Sequence, residues 1–84
     1  GARVAANRSA AAYARAVELL PDDTAVRAYL GQTLLDLEAW SDAQAVGEAL
    51  RQKAPDAPAG FYLVGAALQG NRLNGLGIPT RSES

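Results

Sequence analysis

Apolar residues recur along this chain every three or four positions, a helical rather than a strand period, in four successive blocks. The first block ends at Leu20, where Tyr13, Ala16, Val17 and Leu20 share one helical face. Pro21 stops that helix because it has no N–H to donate and disfavours helix in the residue before it. A second helix is predicted over 24–37. Asp23 supplies an oxygen for its N-cap, and Val26, Tyr29, Leu30, Leu34 and Leu37 keep the spacing. Ser41 followed by Gln44 reads as a capping box for a third helix, with Trp40 folding onto Ala45 as a hydrophobic staple. That helix is expected to turn Ala43, Val46, Gly47 and Leu50 inward and to end near Ala54, ahead of Pro55. Pro58 suits the first turn of a fourth helix, about 58–71, with Phe61, Val64, Gly65 and Leu68 as its buried stripe. No segment reads as a strand, so the predicted fold class is all-α, built of about four antiparallel helices.

The four blocks are two copies of one pattern. Pro21 and Pro55 lie 34 residues apart, and the same offset pairs Asp22 with Asp56, Ala25 with Ala59, Gly31 with Gly65, Leu34 with Leu68 and Ala11 with Ala45. These matches fall where a helical hairpin has special needs: a proline after a helix, a glycine within one, small or aliphatic residues on the buried side. Small residues at Gly31, Ala43, Gly47 and Gly65 are expected to let neighbouring helix backbones approach. Residues 1–74 divide into a half unit, a full unit over 24–57 and a second half unit. Where the period asks for another capped helix stand Gly75, Gly77 and Pro79, followed by polar residues, so 75–84 is expected to be a flexible C-terminal tail.

A 34-residue period of paired helices resembles the tetratricopeptide repeat. Leu30-Gly31 and Leu34 look like that family's first-helix Leu-Gly and large position, Ala43 like its second-helix Ala, and Pro55 like its closing Pro. Tyr13, Ala16 and Pro21 in the preceding half unit, and Phe61, Val64-Gly65 and Leu68 in the following one, match the corresponding positions. The chain departs from the pattern at Arg27, where Trp is frequent, at Ser9, where Ala is, and at Leu50, where a small residue is usual. The resemblance implies an α-solenoid segment whose first helices line a concave groove. It places Ala28, Gln32, Leu35 and Asp36 of one helix, and Ala59, Tyr62, Ala66 and Gln69 of the next, against a bound peptide or helix. The glutamines can each donate and accept, as a peptide backbone requires. The family's carboxylate clamp for chaperone C-termini needs Lys, Asn and Arg; Ala28 and Gln32 stand here instead, so that specificity is not expected.

Composition narrows the function further. Of the 84 residues 49% are hydrophobic and 20% charged, which makes a small folded domain rather than a disordered tail, and the thin core of so short a chain must come from many small contacts. A formal net charge of −1 gives no electrostatic footprint for nucleic acid. The longest apolar run, Ala59 to Leu68, is far short of the roughly 20 residues that span a bilayer, so no membrane insertion is expected. With neither cysteine nor histidine there is no thiolate or imidazole metal site, and no cofactor is implied. The abundance of arginine over lysine hints at a high-GC bacterial source; it does not settle whether the compartment is cytoplasmic or periplasmic.

The remaining conspicuous residues have structural readings. Asp22 with Asp23, and Asp36 with Glu38, are the nearest carboxylate pairs, but they sit at helix ends, where carboxylates cap or favour the dipole. Gly75 and Gly77 lack the strand and helix context of a phosphate loop. Arg15, Arg27, Arg51 and Lys53 are dispersed. The sequence therefore reads as a protein-binding scaffold and not as an enzyme. A homo-oligomerisation or assembly module is the alternative, and a bacterial secretion or assembly chaperone is a narrower form of the first reading. The unfinished third unit has three explanations: the segment belongs to a longer array, which is favoured; two copies cap each other as a homodimer; or Leu73, Leu76 and Ile78 fold back as a lid.

Overall fold

The computed structural model of the protein describes residues 2–77, with side chains from Asn7 onward. It is all-α. Four helices, α1 (Ala2–Leu19), α2 (Thr24–Asp36), α3 (Trp40–Lys53) and α4 (Pro58–Gly75), follow one another antiparallel. Each packs on the next, α2 also lies beside α4, and among the described residues α1 touches only α2. The array is a slab of 36 × 28 × 16 Å.

The 34-residue period is present in the backbone itself. The amide of Leu20 donates to the Ala16 carbonyl at 2.8 Å and that of Asp23 to Leu20 at 3.0 Å; 34 residues later Ala54 donates to Leu50 at 2.7 Å and Ala57 to Ala54 at 3.0 Å. The two Pro-Asp turns are therefore built from the same hydrogen bonds in the same register. They differ in how they start the next helix. Asp23 is extended and its Oδ1 accepts from the Val26 amide at 3.1 Å, the expected N-cap. Ala57 has no side chain to offer, and Pro58 at the first helical position removes one orphan donor instead. Arg27, far from a dispersed surface cation, donates through Nε and Nη2 to the Pro21 carbonyl at 3.3 and 3.1 Å, tying α2 back to the turn. Lys53 reaches Asp22 Oδ1 at 3.3 Å across the two turns, an exposed pair of small energetic weight.

The α2–α3 connection differs from expectation. Helix α3 starts at Trp40 with Ala39 as its N-cap and no side-chain cap, so the Ser41–Gln44 capping box does not form. Ala45 is exposed, and Trp40 packs on Gly70 of α4 rather than acting as a staple on Ala45. What ends α2 is the backbone: Glu38 donates to Leu35 at 2.9 Å and Ala39 to Leu34 at 2.9 Å, a Schellman closure with Glu38 at φ 60°.

The core is small and shared by three helices. Leu35, Ala43, Leu50, Leu63 and Ala67 form one buried cluster, with Val64 buried beside them. Of the anticipated inward residues of α3, Ala43, Gly47 and Leu50 are buried and Val46 packs against the cluster. Of the anticipated stripe on α4, Val64 is buried but the other three residues are not. Phe61 and Leu68 are 54% and 50% exposed, and Gly65 faces open space. The face that packs on α3 is Gly60, Leu63, Val64, Ala67 and Gly70. The reason is closeness. A Cβ on Gly47 would lie 2.9 Å from the Val64 nitrogen, and one on Gly60 would lie 2.9 Å from the Arg51 nitrogen. The two helices thus meet almost backbone to backbone, an approach open only to residues without a side chain. Gly31 receives the Leu63 methyls, which would lie 2.5 and 2.9 Å from a Cβ built there.

Helix α4 also runs to Gly75, beyond the expected end near residue 71, and closes at Gly77 with φ 75°. Leu73 is helical and Leu76 is exposed, so neither folds back as a lid; Ile78, Pro79 and the rest of the predicted tail lie outside the described residues. Helix α1 is peripheral. None of its described side chains is fully buried, Leu20 beyond its end is exposed, and its contact with α2 centres on Tyr13 stacked with the half-exposed Tyr29 at 5.7 Å.

Three substitutions test this packing by thermal or denaturant unfolding. Gly47→Ala should destabilise by about 1–3 kcal/mol, because the added methyl meets backbone, whereas Gly65→Ala should stabilise by about 0.5–1 kcal/mol through helix propensity alone. Glu38→Gly should raise stability by about 0.5–1 kcal/mol by relieving the left-handed conformation; an unchanged or lower midpoint would contradict the closure described.

Candidate functional site: a groove between helices α2 and α4

The period decides which faces of α2 and α4 lie side by side. Because α3 packs behind both, each helix turns a third face to the same side of the slab. Between them is a groove of about 260 Å³ lined by Gln32, Leu35 and Asp36 from α2, Trp40 from the start of α3, and Tyr62, Ala66, Gln69, Gly70 and Leu73 from α4. Leu35, 5% exposed, is its floor and belongs to the core cluster; Ala66 also packs against that cluster. Tyr62, 57% exposed, stands on the rim with Gln32, Asp36 and Gln69.

Of the residues that the resemblance assigns to a binding face, Gln32, Leu35, Asp36, Tyr62, Ala66 and Gln69 come together here. Ala28 and Ala59 do not line it; both are partly buried against the core cluster. Gly70 and Leu73 were not anticipated, and Trp40, for which a staple is the preferred reading from sequence and a partner anchor the alternative, lines the groove as well. A Cβ at Gly70 would lie 2.5–2.6 Å from the Trp40 ring, so the missing side chain is what admits the indole to the end wall. The signal for this was present as the run Gly60, Leu63, Ala67, Gly70, which keeps helical spacing but is read as a crossing only once small residues are weighted above large ones.

Chemically the groove offers an apolar floor, an indole wall, a phenol, two carboxamides and one carboxylate. Among the described residues no three Asp or Glu side chains converge as metal ligands, and no helix is long and apolar enough to cross a membrane. Elsewhere the Arg51 guanidinium lies 4.7 Å over the Phe61 ring, beside Glu48 and Gln52, and a shallow surface on α3 is lined by Ser41, Gln44, Ala45, Glu48, Ala49 and Gln52. Set against protein-family models, curated proteins and solved structures, the chain matches none.

Because Leu35 serves core and groove together, the two roles separate by stability. Leu35→Ala should cost about 2–5 kcal/mol, and Tyr62→Ala should stay within about 0.5 kcal/mol of the parent in urea unfolding. Equal losses at both would place Tyr62 in the core and remove it from the rim.

Proposed function

We propose that the protein is an interaction module that holds a peptide segment or a single helix of another protein in the α2–α4 groove, and that it binds rather than catalyses. The lining carries this reading. A volume of about 260 Å³ lies below the usual range for small-molecule sites and suits one anchoring side chain, with the rest of the ligand running along the rim. An apolar anchor would sit on Leu35, Ala66 and Gly70 against Trp40. Gln32 and Gln69, on opposite walls, would meet the backbone of the ligand with donors and acceptors, and Asp36 would favour a basic residue beside the anchor. The tetratricopeptide-like period supports the same side of the slab as the ligand face, and with it the reading that the segment belongs to a longer array. A secretion or assembly chaperone that shields an apolar helix is a narrower form, supported by analogy of fold alone.

Trp40 is the only tryptophan and lies in the groove, so it reports occupancy directly. Peptides selected on the protein from a random display library should shift its fluorescence. Tyr62→Ala and Gln69→Ala should each weaken them about tenfold while leaving the far-UV circular dichroism unchanged. Selected peptides that leave Trp40 fluorescence unmoved and bind both variants like the parent would overturn the assignment of this groove.

A further inference from the structure

We propose that the α2–α4 groove selects arginine: the methylenes of one ligand arginine lie on the apolar floor while its guanidinium stacks on the Trp40 indole and donates to the Asp36 carboxylate. This rests on the groove's being a ligand site and specifies what that ligand carries. The lining makes two demands. Leu35, Ala66 and Leu73 favour hydrocarbon, yet they share the groove with the Asp36 carboxylate and the Gln32 and Gln69 carboxamides. A purely aliphatic anchor would cover the floor, strip water from the polar rim and offer it no hydrogen bond. A lysine would meet the charge as a compact, strongly hydrated ion. An arginine meets both demands at once, since its stem buries on carbon while its planar head stacks on a ring and fits a carboxylate with two parallel N–H groups.

The placement of charge points to the same end of the groove. Asp36 is the one acid in the lining, and no lysine or arginine joins it. It is the last residue of α2, and Trp40 is the first of α3, so the turn 37–39 holds carboxylate and indole at one end. Helix α4 passes that end with Gly70 and Leu73 and stops at Gly75. The negative ends of two helix dipoles therefore lie where the cation would sit. Arg72, the basic residue in the last turn of α4, keeps the spacing of Phe61, Gly65 and Leu68 and does not line the groove. The Trp40 ring, partly exposed, is seated in the space that Gly70 leaves, which positions it before any ligand arrives. Within the chain itself a guanidinium already rests on a ring in this way, that of Arg51 over Phe61 at 4.7 Å.

The probes are end-blocked pentapeptides with arginine, citrulline, lysine or leucine between flanking alanines. Each is titrated through the millimolar range into the isotopically labelled intact protein and followed by amide and indole N–H chemical shifts. The arginine peptide should saturate and move the Trp40 indole, Leu35 and Gln69. Citrulline, of the same shape without the charge, should bind at least about tenfold more weakly, as should lysine and leucine. Asp36→Asn should bring the arginine and citrulline peptides to within about twofold of each other, which a change in packing alone would not do. Citrulline or lysine binding to the parent as well as arginine does overturns the proposal. So does a leucine peptide that moves the same residues with equal affinity, and the groove then stands as a ligand site with a hydrophobic anchor. Shifts confined to residues outside the groove, such as Glu48 and Gln52, overturn the proposal together with the groove, and the absence of any saturable shift overturns the choice of arginine as well.

Discussion

Helix α4 lies so close to α3 that at Gly47 and Gly60 the backbone of each helix occupies the space where the other would carry a Cβ, and the Leu63 side chain is pressed into the notch left by Gly31 on α2. One leucine thereby joins three helices. Leu50 and Leu63 are the largest side chains fully withdrawn from water, and the remainder of the core is alanine, glycine and one further leucine and valine. A chain poor in large apolar residues cannot fill wide gaps between helices, so it closes them by bringing backbones together, and dispersion between many small surfaces replaces the burial of a few large ones. The cost is intolerance: at these crossings even one methyl has nowhere to go.

That closeness also creates the surfaces. Once α4 is drawn onto α3 by one face and beside α2 by another, its remaining residues have no inward position left. Tyr62 and Gln69 rise as one wall of a groove, and Phe61 and Leu68 are left on the opposite side with Gly65 between them. The groove has its end wall because Gly70 makes room for Trp40. Glycine at three points of one helix thus serves three purposes: tight contact at Gly60, admission of an indole at Gly70, and an uncovered gap at Gly65. Helix α1, which among the described residues leans on α2 alone, contributes no fully buried side chain among those described.

The helices and their repeat were legible in the residues because their causes are local. Proline after a helix, Asp23 at an N-cap and apolar spacing of three and four act within a turn or two of chain, and the ends of α1, α2 and α3 fell within a residue of expectation. The 34-residue offset was legible for the same reason, and the matched hydrogen bonds of the two Pro-Asp turns are its physical form. Most of the groove was legible through the family resemblance, as Gln32, Leu35, Asp36, Tyr62, Ala66 and Gln69.

What depended on tertiary structure was which face of each helix meets which neighbour. Phe61, Gly65 and Leu68 carry an apolar signal as strong as that of Leu63, Val64 and Ala67, and local spacing cannot say which set has a helix opposite it. The Ser41–Gln44 pattern likewise has the chemistry of a capping box, but Trp40, drawn toward Gly70, begins the helix before that box can act. By itself the sequence determined that this protein makes short antiparallel helices in a repeating register, since those preferences are settled within each segment. The fold alone decided that Leu35 is floor rather than free surface, that Trp40 walls the groove and that Gly65 stands open, because each depends on how near a second helix comes.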